Sequence, residues 1–144
     1  MSAETNKELV RRFYELLQHQ DYEAIPELLH EDFKFYSQVD TPYYGIEGFI
    51  EAEKKNFDAF PDFKFPIKAI LAEGDQVAAY LLFEGTHTGR DYSGLPATGK
   101  RIKISIAMFL RIADGKIIEK RAHFDKYDIL KQLGVNLDNS VTVS

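Results

Sequence analysis

The sequence has no cysteine among its 144 residues. Disulfide bonds, thiolate metal sites and a cysteine nucleophile are therefore excluded, and the chain suits a reducing compartment. Long apolar runs are also absent, because no stretch approaches the ~18 apolar residues that a membrane-spanning helix needs. The first six residues, MSAETN, lack the basic and apolar regions of a secretory signal. We therefore expect a cytoplasmic protein with no membrane partner.

Basic clusters and metal-binding patterns are scarce as well. The formal net charge is −5, and no run of Lys or Arg is longer than two. Such a chain lacks the positive surface that binds a nucleic acid backbone, so we expect no nucleic acid partner. The four histidines form no helical i, i+4 pair, and neither a glycine-rich phosphate loop nor a Gly-x-Ser-x-Gly elbow occurs. We expect no metal site.

The size and uniform composition of the chain favour one domain. A chain of this length can bury roughly 68–70% of the surface that it exposes when unfolded, which leaves room for a core and one pocket. No linker, repeat or low-complexity segment divides it. We expect a single domain over 1–144, with its core at about 6–134 and a flexible tail at 135–144.

Helical patterns dominate the first half of the chain. A capping box at 5–8 and apolar residues at helical spacing predict a helix over 6–18. A short second helix is expected over 22–29, with Pro26 near its first turn. The spacing after Ile46 predicts a third helix that ends at Pro61.

Alternating patterns predict the strands. The first strand is expected at 32–39, followed by a break at 40–45. Four more strands are expected at 63–72, 76–87, 101–111 and 116–124, and an amphipathic segment at 127–134 ends the pattern. Helices followed by hairpin-linked strands indicate an α+β fold, with helices on one face of a curved antiparallel sheet. The mouth of such a cone is a suitable place for a ligand.

Asp125 follows the last predicted strand and shares a face with His123. A three-residue loop at 113–115 would place Asp125 opposite Lys103, on a face with Ser105 and Phe109. A two-residue Asp-Gly turn would instead place Asp125 opposite an isoleucine on the other face. We favour the three-residue loop, because it creates one mixed polar and apolar face suited to a pocket.

The alternate face of the strand at 101–111 is wholly apolar. It carries isoleucine at 102, 104 and 106, then methionine and leucine at 108 and 110. A surface of this kind is rarely left in water, so either helices or another subunit should cover it. We therefore predict a homodimer that forms through the sheet.

Several short motifs, in this order and spacing, resemble the SnoaL-like polyketide cyclases. The resemblance spans about 6–134 and places the chain in the nuclear-transport-factor-2-like, or cystatin-like, superfamily of cone-shaped α+β proteins. The motifs are AFPD (59–62), AEGD (72–75), EGTHTG (84–89), LPATGK (95–100), RIADGKI (111–117), HFD (123–125) and LKQLG (130–134).

The resemblance implies a reaction as well as a fold. Cyclases of this family use one aspartate in the pocket as general acid/base, without metal or cofactor, to close a ring by intramolecular aldol condensation. By position that aspartate corresponds to Asp125. Partial burial would have to raise its pKa towards neutrality, whereas Arg121 or Lys103 nearby would oppose the rise. Asp125 is equally well placed to cap the final helix, a role that is compatible with catalysis.

Other side chains are expected to assist Asp125, and each also has a purely structural interpretation. His123 could tune proton transfer or bind a substrate oxygen, and Tyr36 could donate a hydrogen bond to an enolate or form a wall. His87 could contact the ligand or fix the loop that follows it. The expected substrate-binding residues are Tyr36, His87, Ser105, Phe109 and Arg121.

The chain departs from many relatives at two of these positions. Tyr36 stands where they have a histidine, and Arg121 where they have a tryptophan, which argues against a flat polycyclic substrate. We therefore expect a cofactor-independent cyclase or isomerase acting on a small hydrophobic carbonyl compound. The alternatives are a non-catalytic protein that holds an apolar ligand in the same pocket, and an epoxide hydrolase of the limonene type. The latter needs an Asp-Arg-Asp set, for which no second aspartate is evident.

Overall fold

The computed structural model describes residues 2–38 and 41–136. Val39, Asp40 and most of the expected flexible tail therefore lie outside the described residues. The elements, in chain order, are α1 (Ala3–Gln18), a 3-10 helix (Ile25–Leu28), β1 (Leu29–Gln38), β2 (Thr41–Tyr44), α2 (Ile46–Ala59), β3 (Ile67–Glu73), β4 (Gln76–Thr86), β5 (Arg101–Ala113), β6 (Lys116–His123) and α3 (Lys126–Gln132).

One curved, six-stranded sheet organises the fold. Its strand order is β2-β1-β6-β5-β4-β3, and the helices pack against its inner face. The predicted α+β cone is confirmed, although the sheet is mixed rather than wholly antiparallel. The exception is the pair of β1 and β6, which run parallel because the chain returns from the far edge of the sheet to place its last strand beside its first.

The first two helices differ from expectation, and a capping hydrogen bond explains the difference in α1. The hydroxyl of Ser2 accepts a hydrogen bond from the Thr5 backbone N–H at 3.1 Å, so Ser2 is the N-cap and α1 begins three residues before the predicted start at 6. The predicted second helix is a single 3-10 turn that carries Pro26. Val10, Phe13 and Leu17 of α1 are fully buried or nearly so against the sheet.

A strand was missed within the segment that was expected to break the pattern. β2 pairs antiparallel with β1, with Phe35 opposite Tyr43 and Tyr36 opposite Pro42. Proline is tolerated here because β2 is an edge strand, where a missing N–H costs no ladder bond.

The hairpin between β5 and β6 has a different turn from the one that we favoured. Ala113 pairs with Lys116, and Asp114 and Gly115 form a two-residue turn with positive φ at both positions. The register then shifts, since Arg111 pairs with Glu119. One extra residue, Ile118, is accommodated in β6 as a β-bulge.

This bulge decides which residues of the two strands point inward. Beyond it, Phe109 pairs with Arg121 and Ala107 pairs with His123. These residues therefore share one face of the sheet, as the three-residue loop would also have placed them. However, the mixed face is the outer face of the sheet, and the expected pocket does not lie there. The apolar face of β5, with Ile102 and Leu110, is buried under the helices of this same chain. A dimer cannot form through that face.

The loop between β4 and β5 docks onto the end of α2. The backbone N–H of Gly89 donates to the carbonyl of Ala59 at 3.1 Å, and that of Arg90 donates to the carbonyl of Asp58 at 2.8 Å. A Cβ atom at position 89 would lie 1.8 Å from the Asp58 carbonyl oxygen, so only glycine allows this approach.

Replacing Gly89 by alanine should therefore destabilise the fold. We expect a loss of about 1–3 kcal/mol in the free energy of unfolding, because the loop must move away from α2. Gly48→Ala is the matched control: it lies within α2 with no atom within 4 Å of the added Cβ. It should stabilise by about 0.5–1 kcal/mol, as alanine is the better helix former. Urea denaturation measures both, and equal midpoints for the two variants would contradict the docking.

Candidate active site

An apolar pocket of about 100 Å³ lies between the helices and the inner face of the sheet. Side chains from all three helices, from β4 to β6 and from the connecting loops form its wall. The lining residues are Tyr14, Leu17, Glu53, Asn56, Phe63, Phe65, Leu81, Phe83, Tyr92, Ile106, Met108, Lys120, Ala122, Phe124 and Ile129.

A wider cleft of about 850 Å³ adjoins this pocket. The two share several lining side chains, so the pocket forms the inner end of the cleft. The part of the cleft outside the pocket has polar side chains, which include Glu51, Asp58, Arg90 and Asp91. Tyr36 also lines the cleft. The shared residues are Glu53, Asn56, Tyr92, Lys120, Ala122 and Phe124.

Lys120 is the most unusual of the shared residues. It lies on β6 between β1 and β5, opposite Phe35 and Leu110, and only 5% of its surface is exposed. Its Nζ atom lies 5.3 Å from the centre of the Phe49 ring. Burial lowers the pKa of Lys120 below the usual 10.5, and the negative charge of Glu53 partly opposes this effect.

Glu53 faces the same space from α2. Burial raises its pKa above the usual 4.5, while the positive charge of Lys120 and a hydrogen bond from Asn56 pull in the opposite direction. The pKa values of Glu53 and Lys120 are thus both shifted towards neutrality. Groups with shifts of this kind inside a pocket are typical of sites that transfer protons.

Tyr14 supplies a third polar group. Its side chain is buried, and its hydroxyl has no hydrogen-bond partner among the described residues. Burial, with a smaller contribution from the charge of Glu53, raises the pKa of Tyr14 well above 10.0, so the hydroxyl keeps its proton at neutral pH. A buried donor without a partner is uncommon, and this one lies where a ligand carbonyl could accept its hydrogen bond.

The structure places Asp125 outside this site. Its side chain is exposed and accepts a hydrogen bond from the Asp128 backbone N–H at 3.1 Å, so Asp125 is the N-cap of α3. It is not among the residues that line the described cavities, although the preceding residue, Phe124, lines both pocket and cleft. The capping role is observed, and the catalytic role stays a prediction.

The residues expected to assist Asp125 are dispersed. His123 and Ser105 are exposed on the outer face of the sheet, where His123 and Phe109 line a shallow depression. The Arg121 guanidinium lies 3.9 Å from the centre of the Tyr36 ring and forms an ion pair with Glu119 at 3.1 Å. Among the five expected substrate-binding residues, Arg121 contacts the Tyr36 ring and pairs with Phe109 on the neighbouring strand, and of these five Tyr36 alone lines the cleft.

His87 is fully buried but lies away from the cavities. One ring nitrogen is 2.9 Å from the Arg90 carbonyl oxygen, the other contacts Thr98, and the ring packs against Phe60. These contacts fix both ends of the loop that docks on α2, which is the structural role considered for His87.

Sequence reasoning missed Glu53, Lys120 and Tyr14. A signal for Glu53 was present, because it occupies the apolar stripe of α2 between Phe49 and Phe57. Lys120 could have been found only with the correct register of β6.

Within the described residues, no helix is long and apolar enough to cross a membrane. No group of three or more His, Asp or Glu side chains in residues 2–38 and 41–136 is arranged to hold a metal ion. The cytoplasmic location and the absence of a metal or cofactor stay predictions.

Comparison with known proteins gives matches in fold and in sequence. AclR of Streptomyces galilaeus, a candidate hydroxylase, is 26% identical over 92% of this chain and 98% of its own, with a TM-score of 0.82. A SnoaL-like polyketide cyclase from Agrobacterium tumefaciens superposes with a TM-score of 0.76 over 93% of this chain and 100% of its own. It is 22% identical, which shows the shared fold alone.

A curated relative and a family model extend the match to sequence. The nogalonic acid methyl ester cyclase of Streptomyces nogalater is 41% identical over 65 residues, which cover 45% of this chain and 48% of that protein. The match thus spans about half the length of the curated relative. The model of the SnoaL-like polyketide cyclase family matches residues 7–133. Since that match covers most of the chain, this protein belongs to the SnoaL-like polyketide cyclase family.

Proposed function

We propose that this protein is a cofactor-independent cyclase or isomerase that transfers protons on a small hydrophobic carbonyl compound. The observation that carries the proposal is the apolar pocket, in which an acid, an amine and a free hydroxyl converge from three different elements. An apolar wall with a few convergent polar groups is typical of small-molecule sites. The family, and the cyclase to which the chain is similar, support the same class of reaction.

The proposed chemistry begins with loss of a proton next to a carbonyl group. A base removes that proton to form an enolate, and the same group can return a proton to the alkoxide that cyclisation creates. Glu53 is suited to this role because its raised pKa brings it closer to neutrality than an ordinary carboxyl. The Tyr14 hydroxyl is placed to stabilise the oxyanion by donating a hydrogen bond.

Asp125 is the second candidate for the base, since the family resemblance assigns the proton transfer to its position. Its side chain would have to leave the Asp128 N–H and turn past Phe124 to enter the pocket. Breaking the cap would cost about 1 kcal/mol, which does not prevent such a movement. The two carboxylates therefore compete for one role.

Deuterium exchange separates the two candidates. The wild-type protein should catalyse exchange of the protons next to the carbonyl groups of phenylacetone and acetophenone, simple ketones whose uncatalysed exchange at neutral pH is slow, followed by NMR in D₂O. We expect Glu53→Gln to lower the exchange rate by about 10²–10⁴-fold, because the base is lost. The rate should rise with pH through a pKa above 4.5, since the carboxylate is the active form and burial raises its pKa.

Two variants serve as references for the exchange measurement. Glu47→Gln changes an exposed glutamate in the first turn of α2 and should leave the rate unchanged. Asp125→Asn should change it less than about threefold if Glu53 is the base. A large loss with Asp125→Asn and none with Glu53→Gln would assign the base to Asp125. If the wild-type protein binds these compounds without exchange, it is a binding protein and the proposal is wrong.

We also propose that the outer face of the sheet forms a homodimer. Three large apolar side chains are exposed there around a depression of about 260 Å³: Leu71 (73% exposed), Tyr80 (46%) and Phe109 (44%). Contiguous apolar surface of this kind is uncommon on a monomer and favours association.

Light scattering after size-exclusion chromatography tests the dimer. The wild-type mass should be twice the 16.5 kDa of the chain. Leu71→Glu with Phe109→Glu should raise the dissociation constant by about tenfold or more, because it puts like charges into the interface. Tyr127→Glu, a substitution on α3, should leave the dimer intact. A wild-type protein that is monomeric at all concentrations would contradict this proposal.

A further inference from the structure

Lys120 is an unusual residue for its position in the sheet. It sits in the middle of the sheet, where β1 and β5 flank it and an apolar residue would pack well. Burying an ammonium group costs several kcal/mol unless a counter-charge lies in direct contact. Among residues 2–38 and 41–136, no carboxylate forms an ion pair with Lys120. Glu53 acts on it through space without such contact.

The Lys120 side chain is nevertheless open to a ligand. It lines both the inner pocket and the wider cleft, so a molecule that enters through the cleft passes its amine. Most of the inner pocket's wall is apolar, and it includes Ile106, Ala122 and Phe124. An amine in such surroundings loses hydration and gives up its proton more readily than a surface lysine. The free amine is a strong nucleophile towards carbonyl carbon.

We propose that Lys120 forms a Schiff base with the carbonyl group of an apolar ketone or aldehyde bound in the pocket. The inference rests on the proposed function, and it makes the carbonyl compound a covalently bound substrate. The supporting geometry is a buried amine on a rigid strand, a carboxyl group that faces it from α2, and a hydroxyl of α1 without a partner.

The steps balance without an oxidant or reductant. The Lys120 nitrogen forms a bond with the carbonyl carbon, and the amine proton passes to the oxygen to give a carbinolamine. Glu53, as the acid, protonates the hydroxyl group, which leaves as water, and an iminium remains. Glu53, now a carboxylate, removes a proton from the adjacent carbon to give an enamine. Attack of the enamine carbon on a second carbonyl of the substrate closes the ring, and Glu53 gives its proton to the new alkoxide. Water then hydrolyses the resulting iminium to release product and the Lys120 amine, and the Glu53 carboxylate takes up the proton that this step sets free.

Tyr14 has a defined place in this sequence. Its hydroxyl can donate a hydrogen bond to the carbonyl oxygen while the Lys120 nitrogen attacks, and to the hydroxyl group of the carbinolamine afterwards. The buried Tyr14 hydroxyl therefore gains a hydrogen-bond acceptor only when a substrate is bound. Tyr14 thus favours the bound carbonyl over an empty pocket.

Covalent trapping with benzoylacetone tests the proposal. This β-diketone condenses with a reactive amine to give a stable conjugated enaminone, which is detected by its absorbance and by the intact mass. The full-length wild-type protein should gain the mass of one probe molecule less one water. Proteolysis and peptide mapping should place the adduct on Lys120, labelled about tenfold or more faster than the exposed lysines.

Substitutions on one strand provide matched controls. Lys120→Arg keeps a long basic side chain but removes the nucleophilic amine, and it should abolish the adduct. Lys116→Met removes an exposed lysine at the start of the same strand and should leave labelling unchanged. If Lys120→Arg does not fold, the peptide map of the wild-type protein decides alone.

Each outcome either supports or overturns the Schiff base. An adduct confined to Lys120 supports it. An adduct spread over the exposed lysines, or none at all, overturns it. Wild-type deuterium exchange that survives in Lys120→Arg without an adduct leaves the proposed function standing and removes the covalent step. Absence of exchange in the wild-type protein, in contrast, removes the proposed function itself.

Discussion

The β-bulge at Ile118 is the constraint on which the site depends. Without it, the two-residue turn at 114–115 would continue in register, and Lys120 would pair with Phe109 on the outer face. Arg121 and His123 would then point into the pocket, and so would a side chain at 125. The extra residue exchanges the two faces over the rest of β6, so that Lys120 pairs with Leu110 inside the cone. One inserted residue therefore determines whether the pocket contains an amine or a guanidinium with an imidazole.

The bulge also places some charged residues of β6 in solvent on the outer face and one, Lys120, inside the cone. Outside, Glu119 lies between Arg111 and Arg121 and pairs with both, and solvent screens these charges. Inside, Lys120 and Glu53 face each other without direct contact, and each has a pKa shifted towards neutrality by lost hydration. A tight ion pair would have held both groups in their charged forms. The proposed function relies on this separation, because each group must be able to change its protonation state.

Much of the fold could be predicted from the sequence because periodicity reports burial directly. Apolar residues recur at helical spacing in α2 and at every second position in β5. These patterns predicted that Phe49 and Ile104 are buried, and both are buried in the structure. The motifs added the family and hence the cone. Periodicity does not predict a strand that depends on its partner in the sheet. β2 is an example, because Pro42 is acceptable there only at an edge position beside β1. Periodicity also does not show which of the two alternating sets of side chains on a strand faces the core.

That last ambiguity explains why the site was harder to predict than the fold. Both faces of β6 carry polar residues, and a face with Arg121 and His123 suggests chemistry more readily than one with a single lysine among Ala122 and Phe124. Yet in an apolar pocket a lone lysine is the more reactive group, since no neighbouring ion pair fixes its charge. Arg121 already has partners in Glu119 and the Tyr36 ring, so it is held at the edge of the cleft. Lys120, which has no ion pair among the described residues, and the Tyr14 hydroxyl, which has no hydrogen-bond partner there, are for this reason the groups that we propose act on a ligand.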